Sequence, residues 1–243
     1  MRFSVDVGSE LELKLYQAIL LYRNDHGNRV MATVHGVVQK EDDGTPLLGA
    51  GQLLSMAALR ELTKQIGTSC PAEFLPEDIL ARTPELIAWW TAAGIRPKFF
   101  RDGSELAGVS GKLFPHPALL FVVRSGTLYV RALPTNERPR ASTKLAAAPY
   151  WNIDCDGAVC AGTMRTPKSL TVTSIPAWQQ AFFQSEFTHP GGAGRLTRRK
   201  GGTAALWKSL ARKKIFPRST LIETERLDEY LRKLEARDGN AHP

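Results

Sequence analysis

The stretch Ala118-Leu-Leu-Phe-Val-Val-Arg-Ser-Gly-Thr-Leu-Tyr-Val-Arg-Ala-Leu133 holds two runs of β-prone residues that flank the pair Ser125-Gly126. β-Branched and aromatic residues are enriched in strands, and a short glycine-containing segment between two such runs is a signal for a tight hairpin turn. The stretch therefore predicts two antiparallel strands, at residues 118–123 and 127–133. We take this hairpin as the centre of the predicted fold, and we assign the neighbouring segments as strands or helices that pack around it.

Two shorter β-like runs precede the hairpin, at residues 86–90 and 96–100. The first run also suits a helix, because residues 83–85 are Thr-Pro-Glu and proline is favoured at a first helical position. Its paired tryptophans and the Gly-Ile-Arg-Pro break that follows favour a strand. We therefore predict that both runs are strands.

The N-terminal part predicts a separate hairpin and a helix. Residues 11–23 and 29–40 are apolar-rich and β-prone, and a polar, turn-like segment separates them. Residues 47–52 are expected to lead into a helix that has Ser55 as its N-cap and stops at Gly67.

The chain becomes helical towards its C-terminus. Residues 134–148 lack strong periodicity and are expected to be irregular. Helical patterns follow after Pro176, with an apolar face that extends to Phe187, and then at residues 203–214 and 223–237. The order of elements predicts an α+β fold in which an antiparallel meander is flanked by helices.

Composition is typical of a folded globular chain. Hydrophobic residues make up 43% and charged residues 23% of the 243 residues, so we expect a packed core. No apolar run approaches the roughly 18 residues that a membrane helix needs, and we expect no secretory signal. The spacing of Cys70, Cys155 and Cys160 is not that of a disulfide framework. A reducing cytoplasm is therefore the expected location, and it leaves the thiols available for chemistry.

The segment Asn152-Ile-Asp-Cys-Asp-Gly-Ala-Val-Cys160 carries the strongest functional signal. Asn152 precedes Cys160 by eight residues, and Gly157 fills the turn between them. This pattern resembles the active-site loop of ubiquitin-conjugating enzymes. In that loop a cysteine follows the asparagine of a His-Pro-Asn tripeptide at the same spacing and receives ubiquitin as a thioester.

More closely, the chain resembles the B-protein family of the plasmid-associated PRTRC system, a bacterial branch of the ubiquitin-conjugating superfamily. The segments that carry this resemblance are residues 43–49, 54–55, 114–121, 128–133, 148–152, 157–164 and 187–190. By this resemblance Cys160 is the thioester nucleophile, and Asn152 orients the loop or stabilises the oxyanion.

The resemblance also implies a domain organisation and partners. It implies a ubiquitin-conjugating-like domain at residues 50–243, preceded by a β-rich hairpin extension at residues 1–49. The implied function is that of a carrier, which takes a ubiquitin-like modifier protein from a ThiF-like activating enzyme and passes it on. A JAB-type peptidase accompanies such proteins, and the resemblance implies no cofactor and no metal.

The loop departs from the family pattern at several positions. Tyr150 and Trp151 stand where the tripeptide has His and Pro, and Asp154 and Asp156 flank Cys155. These carboxylates would raise the pKa of a nearby thiol through like charge, or one of them would deprotonate an attacking lysine. The sequence leaves both roles open. The candidate supporting residues are therefore Tyr150, Asp154, Asp156 and Gly157.

Simpler interpretations of Cys160 stand beside this one. A cysteine after an apolar residue is commonly a small buried hydrophobe. A zinc site at Cys155 and Cys160 is disfavoured because the chain has no Cys-x2-Cys pair. A thiol protease that pairs Cys160 with His189 lacks the surrounding signatures of that class, so His116 and His189 are expected to anchor turns. The main alternative function is a non-catalytic binding module of the same fold.

The positive charge of the protein is concentrated in one segment. The formal net charge is +8, and nine bases with no acid lie between Glu186 and Glu223. This segment is either a solvated, partly disordered surface or a dock for nucleic acid or an acidic partner. The bases assigned to such a dock are Arg195, Arg198, Arg199, Lys200, Arg212, Lys213 and Lys214.

Overall fold

The structure is a computed structural model that describes residues 15–23, 30–40, 45–65, 74–162, 164–190 and 194–236. The chain divides into two compact units, Met1–Glu73 and Phe74–Pro243. The domain boundary predicted between residues 49 and 50 stays a prediction. Gly67, Cys70 and the turn of the N-terminal hairpin lie outside the described residues.

The described part of the first unit is a three-stranded antiparallel sheet followed by a helix. Its elements are β1 (Gln17–Arg23), β2 (Val30–Gln39), β3 (Pro46–Leu53) and α1 (Met56–Gln65). The predicted hairpin is confirmed, because β1 pairs with β2 and places Gln17 opposite Gly36. The predicted helix start is also confirmed: the Ser55 hydroxyl oxygen accepts a hydrogen bond of 3.1 Å from the Ala58 N–H.

The prediction that residues 47–52 merely lead into the helix is wrong, because they form most of β3. This strand approaches β2 closely. A Cβ atom on Gly51 would lie 2.5 Å from the His35 ring, and one on Gly49 would lie 3.2 Å from the Gly36 carbonyl oxygen. The glycines that permit this approach also weaken the strand signal in the sequence.

The second unit contains the remaining described elements. Its strands are β4 (Ile79–Arg82), β5 (Leu86–Thr91), β6 (Gly94–Pro97), β7 (Phe99–Phe100), β8 (Leu113–His116), β9 (Ala118–Arg124), β10 (Thr127–Leu133), β11 (Lys144–Ala147), β12 (Glu186–Phe187) and β13 (Glu223–Arg226). Its helices are α2 (Ile175–Gln184), α3 (Gly202–Leu210) and α4 (Leu227–Ala236).

The main sheet of this unit is antiparallel, in the order β13-β11-β10-β9-β5-β4. The predicted hairpin at its centre is confirmed. Ser125 and Gly126 have φ values of 46° and 77°, as a tight hairpin turn with two left-handed residues requires. Residues 86–90 lie in a strand, as favoured, and Trp89 stands opposite Phe121.

Both faces of the main sheet are covered. One core cluster joins Phe121 to Phe182 and Trp207, so α2 and α3 pack on that face. The other cluster joins Leu120 to Leu234, so α4 packs on the opposite face. Because both of its faces are covered, β9 is buried throughout, which explains the unbroken apolar run in this strand.

Three local predictions for the second unit are wrong. The segment expected to be irregular contains β11, and the first four residues of the last expected helix form β13, which pairs with β11 at Ala146 and Glu223. Four-residue strands are too short to show a period. Phe187 does not extend the face of α2, because that helix ends at Gln184 and Phe187 pairs in parallel with Phe100.

The described residues therefore form an α+β protein, as predicted. The finer expectation of a ubiquitin-conjugating-like meander stays a prediction. No helix in the described ranges is long and apolar enough to cross a membrane.

Candidate functional site

The segment from Asn152 to Cys160 is a small hairpin. The Cys160 N–H donates to the Asn152 carbonyl oxygen over 2.8 Å, and the Asp154 N–H donates to the Ala158 carbonyl oxygen over 3.0 Å. Between these bonds Ile153 bridges to Val159. The eight-residue spacing between Asn152 and Cys160 is thus the spacing of two residues that are hydrogen-bonded across one hairpin.

The hairpin lies against β10, and Gly157 permits this contact. The Gly157 carbonyl oxygen accepts a hydrogen bond of 2.8 Å from the Val130 N–H. Gly157 has a φ of 89°, and a Cβ atom there would lie 2.8 Å from the Val130 carbonyl oxygen and 2.9 Å from the Tyr230 hydroxyl oxygen. The position therefore requires glycine both for its backbone conformation and for space.

Side chains from β10 and α4 hold the tip of the hairpin. The Arg131 guanidinium donates to the Cys155 carbonyl oxygen over 2.8 Å, and the Tyr230 hydroxyl donates to the Asp156 carbonyl oxygen over 2.9 Å. Arg131 is buried, lies over the Tyr230 ring and pairs with Glu225 at 3.1 Å. The cysteine hairpin is thus fixed by groups far from it in sequence.

Asp154 has a structural function within the hairpin. Its Oδ1 accepts hydrogen bonds of 2.9 Å from the N–H groups of Asp156 and Ala158. One carboxylate oxygen is therefore committed to the turn, while the residue still lines the cavity beside Cys160. The two chemical roles predicted for Asp154 and Asp156 stay predictions.

Asn152 ties the hairpin to the segment after β12. It is buried and left-handed, with a φ of 56°, a conformation that asparagine tolerates better than most residues. Its Oδ1 accepts hydrogen bonds from the N–H groups of Thr188 and His189, at 3.0 and 3.2 Å. Its own N–H donates to the His189 carbonyl oxygen over 3.0 Å. This geometry suits an orienting residue, and the oxyanion role stays a prediction.

Tyr150 is fully buried in the core next to the cysteine hairpin, and its predicted supporting role stays a prediction. Its hydroxyl lies 2.8 Å from Nδ1 of His116, and Nε2 of His116 lies 3.2 Å from the Arg96 carbonyl oxygen. A carbonyl can only accept, so Nε2 carries the proton and Nδ1 accepts from Tyr150. Burial lowers the pKa of His116 to about 3 and raises the pKa of Tyr150. His116 is thus the neutral hydrogen-bond partner of Tyr150.

An open cavity of about 230 Å³ lies beside the cysteine. It is lined by Asn152, Ile153, Asp154, Ala158, Val159, Cys160 and His189. Cys160 is exposed, so the alternative of a thiol sealed in the core is wrong. Cys155 is also exposed, at the hairpin tip.

Within the described ranges, no group of three His, Cys, Asp or Glu residues is placed to hold a metal.

His189 also lines this cavity, although it was not among the predicted site residues. It was expected to anchor a turn, and the structure places it in the lining of the same cavity as Cys160. Its Nδ1 lies 2.8 Å from the Thr188 hydroxyl oxygen. The position of His189 depends on the Asn152 side chain, whose oxygen accepts a hydrogen bond from the His189 N–H. The two residues are far apart in sequence, so no local motif could have indicated this contact.

The structure divides the predicted basic dock into two groups, all of them exposed. Arg195, Arg198, Arg199 and Lys200 precede α3, whereas Arg212, Lys213 and Lys214 follow it. A nine-residue helix is about 13 Å long, so the two groups lie at its opposite ends. Their function as a dock stays a prediction.

Comparison with known proteins gives a match to a family model. A family model described as prokaryotic E2 family D matches residues 55–224, which is more than half of the chain and includes the whole cysteine hairpin. Neither the curated proteins nor the solved structures gave a match.

Proposed function

The chain belongs to prokaryotic E2 family D, and we propose that it is a ubiquitin-conjugating-like carrier that holds a ubiquitin-like protein as a thioester on Cys160. One observation carries the proposal: Cys160 is exposed and lines an open cavity that His189 also lines. A carrier of this kind needs a thiol that the C-terminal tail of another protein can reach.

In the first step the tail arrives as a thioester on a ThiF-like activating enzyme, which has consumed ATP to form it. The Cys160 thiol loses its proton, and the thiolate attacks the carbonyl carbon of that thioester. A carbon–sulfur bond forms to Cys160, the bond to the sulfur of the activating enzyme breaks, and the departing thiolate takes up a proton. The exchange is nearly isoenergetic, so it depends mainly on positioning.

His189 and Asn152 have separate functions in this proposal. Histidine is the most common general base in enzymes, and His189 lines the same cavity as the thiol, so we assign it to accept the thiol proton. Asn152 acts as a positioning residue, because its amide oxygen holds the backbone of Thr188 and His189.

In the second step an amine of the acceptor attacks the Cys160 thioester. An amide bond forms, the carbon–sulfur bond breaks, and Cys160 leaves as a thiolate, which then takes up a proton. A carboxylate of the hairpin takes the amine proton. Asp154 lines the cavity, although one of its oxygens accepts two N–H groups, and Asp156 lies exposed at the tip.

The biological setting that we propose is a plasmid- or mobile-element-associated system of the PRTRC type. Its other members would be the ThiF-like activating enzyme, the ubiquitin-like modifier and a JAB-type peptidase. The similarity of the segments around Cys160 supports this assignment. A reducing cytoplasm would keep the exposed thiol available.

The test is a loading reaction. The chain is incubated with a candidate ThiF-like activating enzyme, a candidate ubiquitin-like modifier and ATP, and is separated by non-reducing electrophoresis. We expect a DTT-sensitive adduct that is absent in Cys160→Ala and retained in the control Cys155→Ala. Absence of an adduct with every partner combination would contradict the proposal.

A non-catalytic binding module is the second candidate, and the exposed bases around α3 favour it. Such a module would hold a modifier or nucleic acid without forming a covalent bond. It predicts binding that persists in Cys160→Ala, with affinity for nucleic acid that falls steeply as salt rises.

A further inference from the structure

The bases that precede α3 form a surface beside the cysteine hairpin. We define the basic turn as residues 194–200, which contain Arg195, Arg198, Arg199 and Lys200. These four bases are exposed, and they belong to the acid-free segment between Glu186 and Glu223.

The basic turn is held against the hairpin. A Cβ atom on Gly194 would lie 3.3 Å from the Cβ atom of Cys155. In the first turn of α3, the Thr203 hydroxyl accepts a hydrogen bond of 3.2 Å from the indole N–H of Trp151, the residue before Asn152. The Arg198 N–H donates to the Thr220 carbonyl oxygen over 2.7 Å, which anchors the turn to the segment that follows α3.

A second cavity, of about 530 Å³, opens between the turn and α3. Its lining runs through Pro190, Gly194, Arg195, Leu196, Thr197, Gly202 and Thr203. Pro190 directly follows His189, which lines the cavity of Cys160. The two cavities are therefore lined by residues that are adjacent in sequence.

The charge of the basic turn is not neutralised within the described part of the protein. The Arg195 guanidinium is held by the carbonyl oxygens of Thr197 and Arg198, both at 2.9 Å, and these are uncharged acceptors. Among the described residues, no carboxylate pairs with Arg198, Arg199 or Lys200. The nearby Asp154 and Asp156 are two acids against four bases.

We infer that the basic turn is a docking surface for an acidic segment of the modifier protein, just upstream of the C-terminal residue whose acyl group is transferred to Cys160. The inference rests on the proposed carrier function and names the chemistry of its partner. A positive surface attracts an acidic chain over about 8–10 Å, the screening distance near physiological salt. Such attraction acts mainly on the rate of association and on the choice of partner.

An acidic protein fits this surface better than nucleic acid does. Single-stranded nucleic acid is bound by basic grooves that also offer exposed aromatic rings. The two aromatic residues between residues 194 and 218, Trp207 and Phe216, are both buried, and the Trp207 indole donates to the Pro149 carbonyl oxygen. The surface thus provides charge without a stacking platform.

The test uses synthetic peptide thioesters that need no activating enzyme. Three peptides share a Gly-Gly thioester end and carry three acidic, neutral or basic residues upstream of it. The protein is the full chain with Cys70→Ser and Cys155→Ser, so acylation reports Cys160 alone. Intact-mass measurements give the second-order rate constant. We expect the acidic peptide to react about tenfold faster than the neutral one at low salt, and the ratio to approach one at high salt.

Two triple variants show where the preference arises. The first carries Arg198→Glu, Arg199→Glu and Lys200→Glu, and it should favour the basic peptide. The matched control carries Lys112→Glu, Arg140→Glu and Lys233→Glu, three exposed bases outside both cavities, and it should keep the preference for the acidic peptide. The ratio of two peptide rates within one protein cancels any general change in thiol reactivity.

Three outcomes would overturn the inference. These are equal rates for the acidic and neutral peptides at low salt, equal ratios in the two triple variants, or binding of a fluorescent single-stranded oligonucleotide by the basic turn without any preference for the acidic peptide. Because the peptides acylate Cys160 directly, failure of enzymatic loading leaves this measurement intact. The two proposals can therefore fail separately.

Discussion

The backbone N–H of Cys160 donates a hydrogen bond of 2.8 Å to the carbonyl oxygen of Asn152. The asparagine that precedes the cysteine by eight residues is therefore its direct partner across a closed hairpin. The side-chain oxygen of Asn152 accepts a hydrogen bond from the backbone N–H of His189. One residue thus joins the strand end that carries the thiol to the segment that carries the histidine.

Replacement of Asn152 by alanine should destabilise the protein by about 2–3 kcal/mol, because two backbone N–H groups lose their acceptor at a buried site. The matched control is Asn136→Ala, which removes one acceptor from the Ala93 N–H at an exposed position and should cost about 1 kcal/mol or less. Urea unfolding gives both values. Equal losses would show that Asn152 does not anchor the hairpin.

Replacement of Gly157 by alanine tests the contact between the hairpin and β10. The new Cβ atom would meet the Val130 carbonyl oxygen at 2.8 Å, so we expect a loss of more than about 1 kcal/mol and slower loading of Cys160. Gly126→Ala is the control, since Gly126 has a similar φ of 77° and a Cβ atom added there would have no heavy atom within 4 Å. If both variants lose the same stability, backbone strain alone is responsible and the close contact has no measurable cost.

Tyr230 tests whether α4 contributes to the position of the hairpin. Tyr230→Phe removes the hydrogen bond to the Asp156 carbonyl oxygen and should cost about 1 kcal/mol. It should also lower the rate of Cys160 acylation by a peptide thioester. Tyr129→Phe, on β10, serves as the control because it removes the same group from a partly buried tyrosine. An unchanged acylation rate in Tyr230→Phe would argue against a contribution from α4.

His116 predicts how stability changes with pH. Burial lowers its folded pKa from 6.5 to about 3, so the unfolded chain binds more protons than the folded chain between these values. The free energy of unfolding therefore rises with pH across this window, and the contribution of His116 is lost as pH falls from 6.5 towards 3. The full difference in pKa corresponds to about 5 kcal/mol.

The measurement is urea unfolding at several values between about pH 4 and pH 7. Carboxylates also titrate in this range, so the comparison is with His116→Gln, in which the dependence on pH should be weaker. The same slope in both proteins would mean that His116 is not held neutral by the fold.

Local patterns in the sequence predicted the parts of the fold that depend on contacts between residues close in sequence. The hairpin around Ser125 and Gly126 and the helix cap at Ser55 are of this kind. Strands β11 and β13 were not predicted, because each is four residues long and their pairing joins Ala146 to Glu223. Only the folded sheet makes that pairing visible.

The same limit applies to the site. The spacing of Asn152 and Cys160 was visible, since the hairpin that joins them is local. Tyr150 was predicted as a supporting residue, but its buried partner His116 and the place of His189 at the cavity were not predicted, because tertiary contacts bring them there. The buried hydrogen bond between Tyr150 and His116 becomes visible only in the folded structure.

The most direct measurement of the carrier function is peptide mapping of the loaded protein by mass spectrometry, after incubation with the activating enzyme, ATP and modifier. We predict one modifier per chain, attached to the peptide that contains Cys160 and released by DTT. A modifier attached to Cys155 or to a lysine, or loading that persists in Cys160→Ala, would contradict the account.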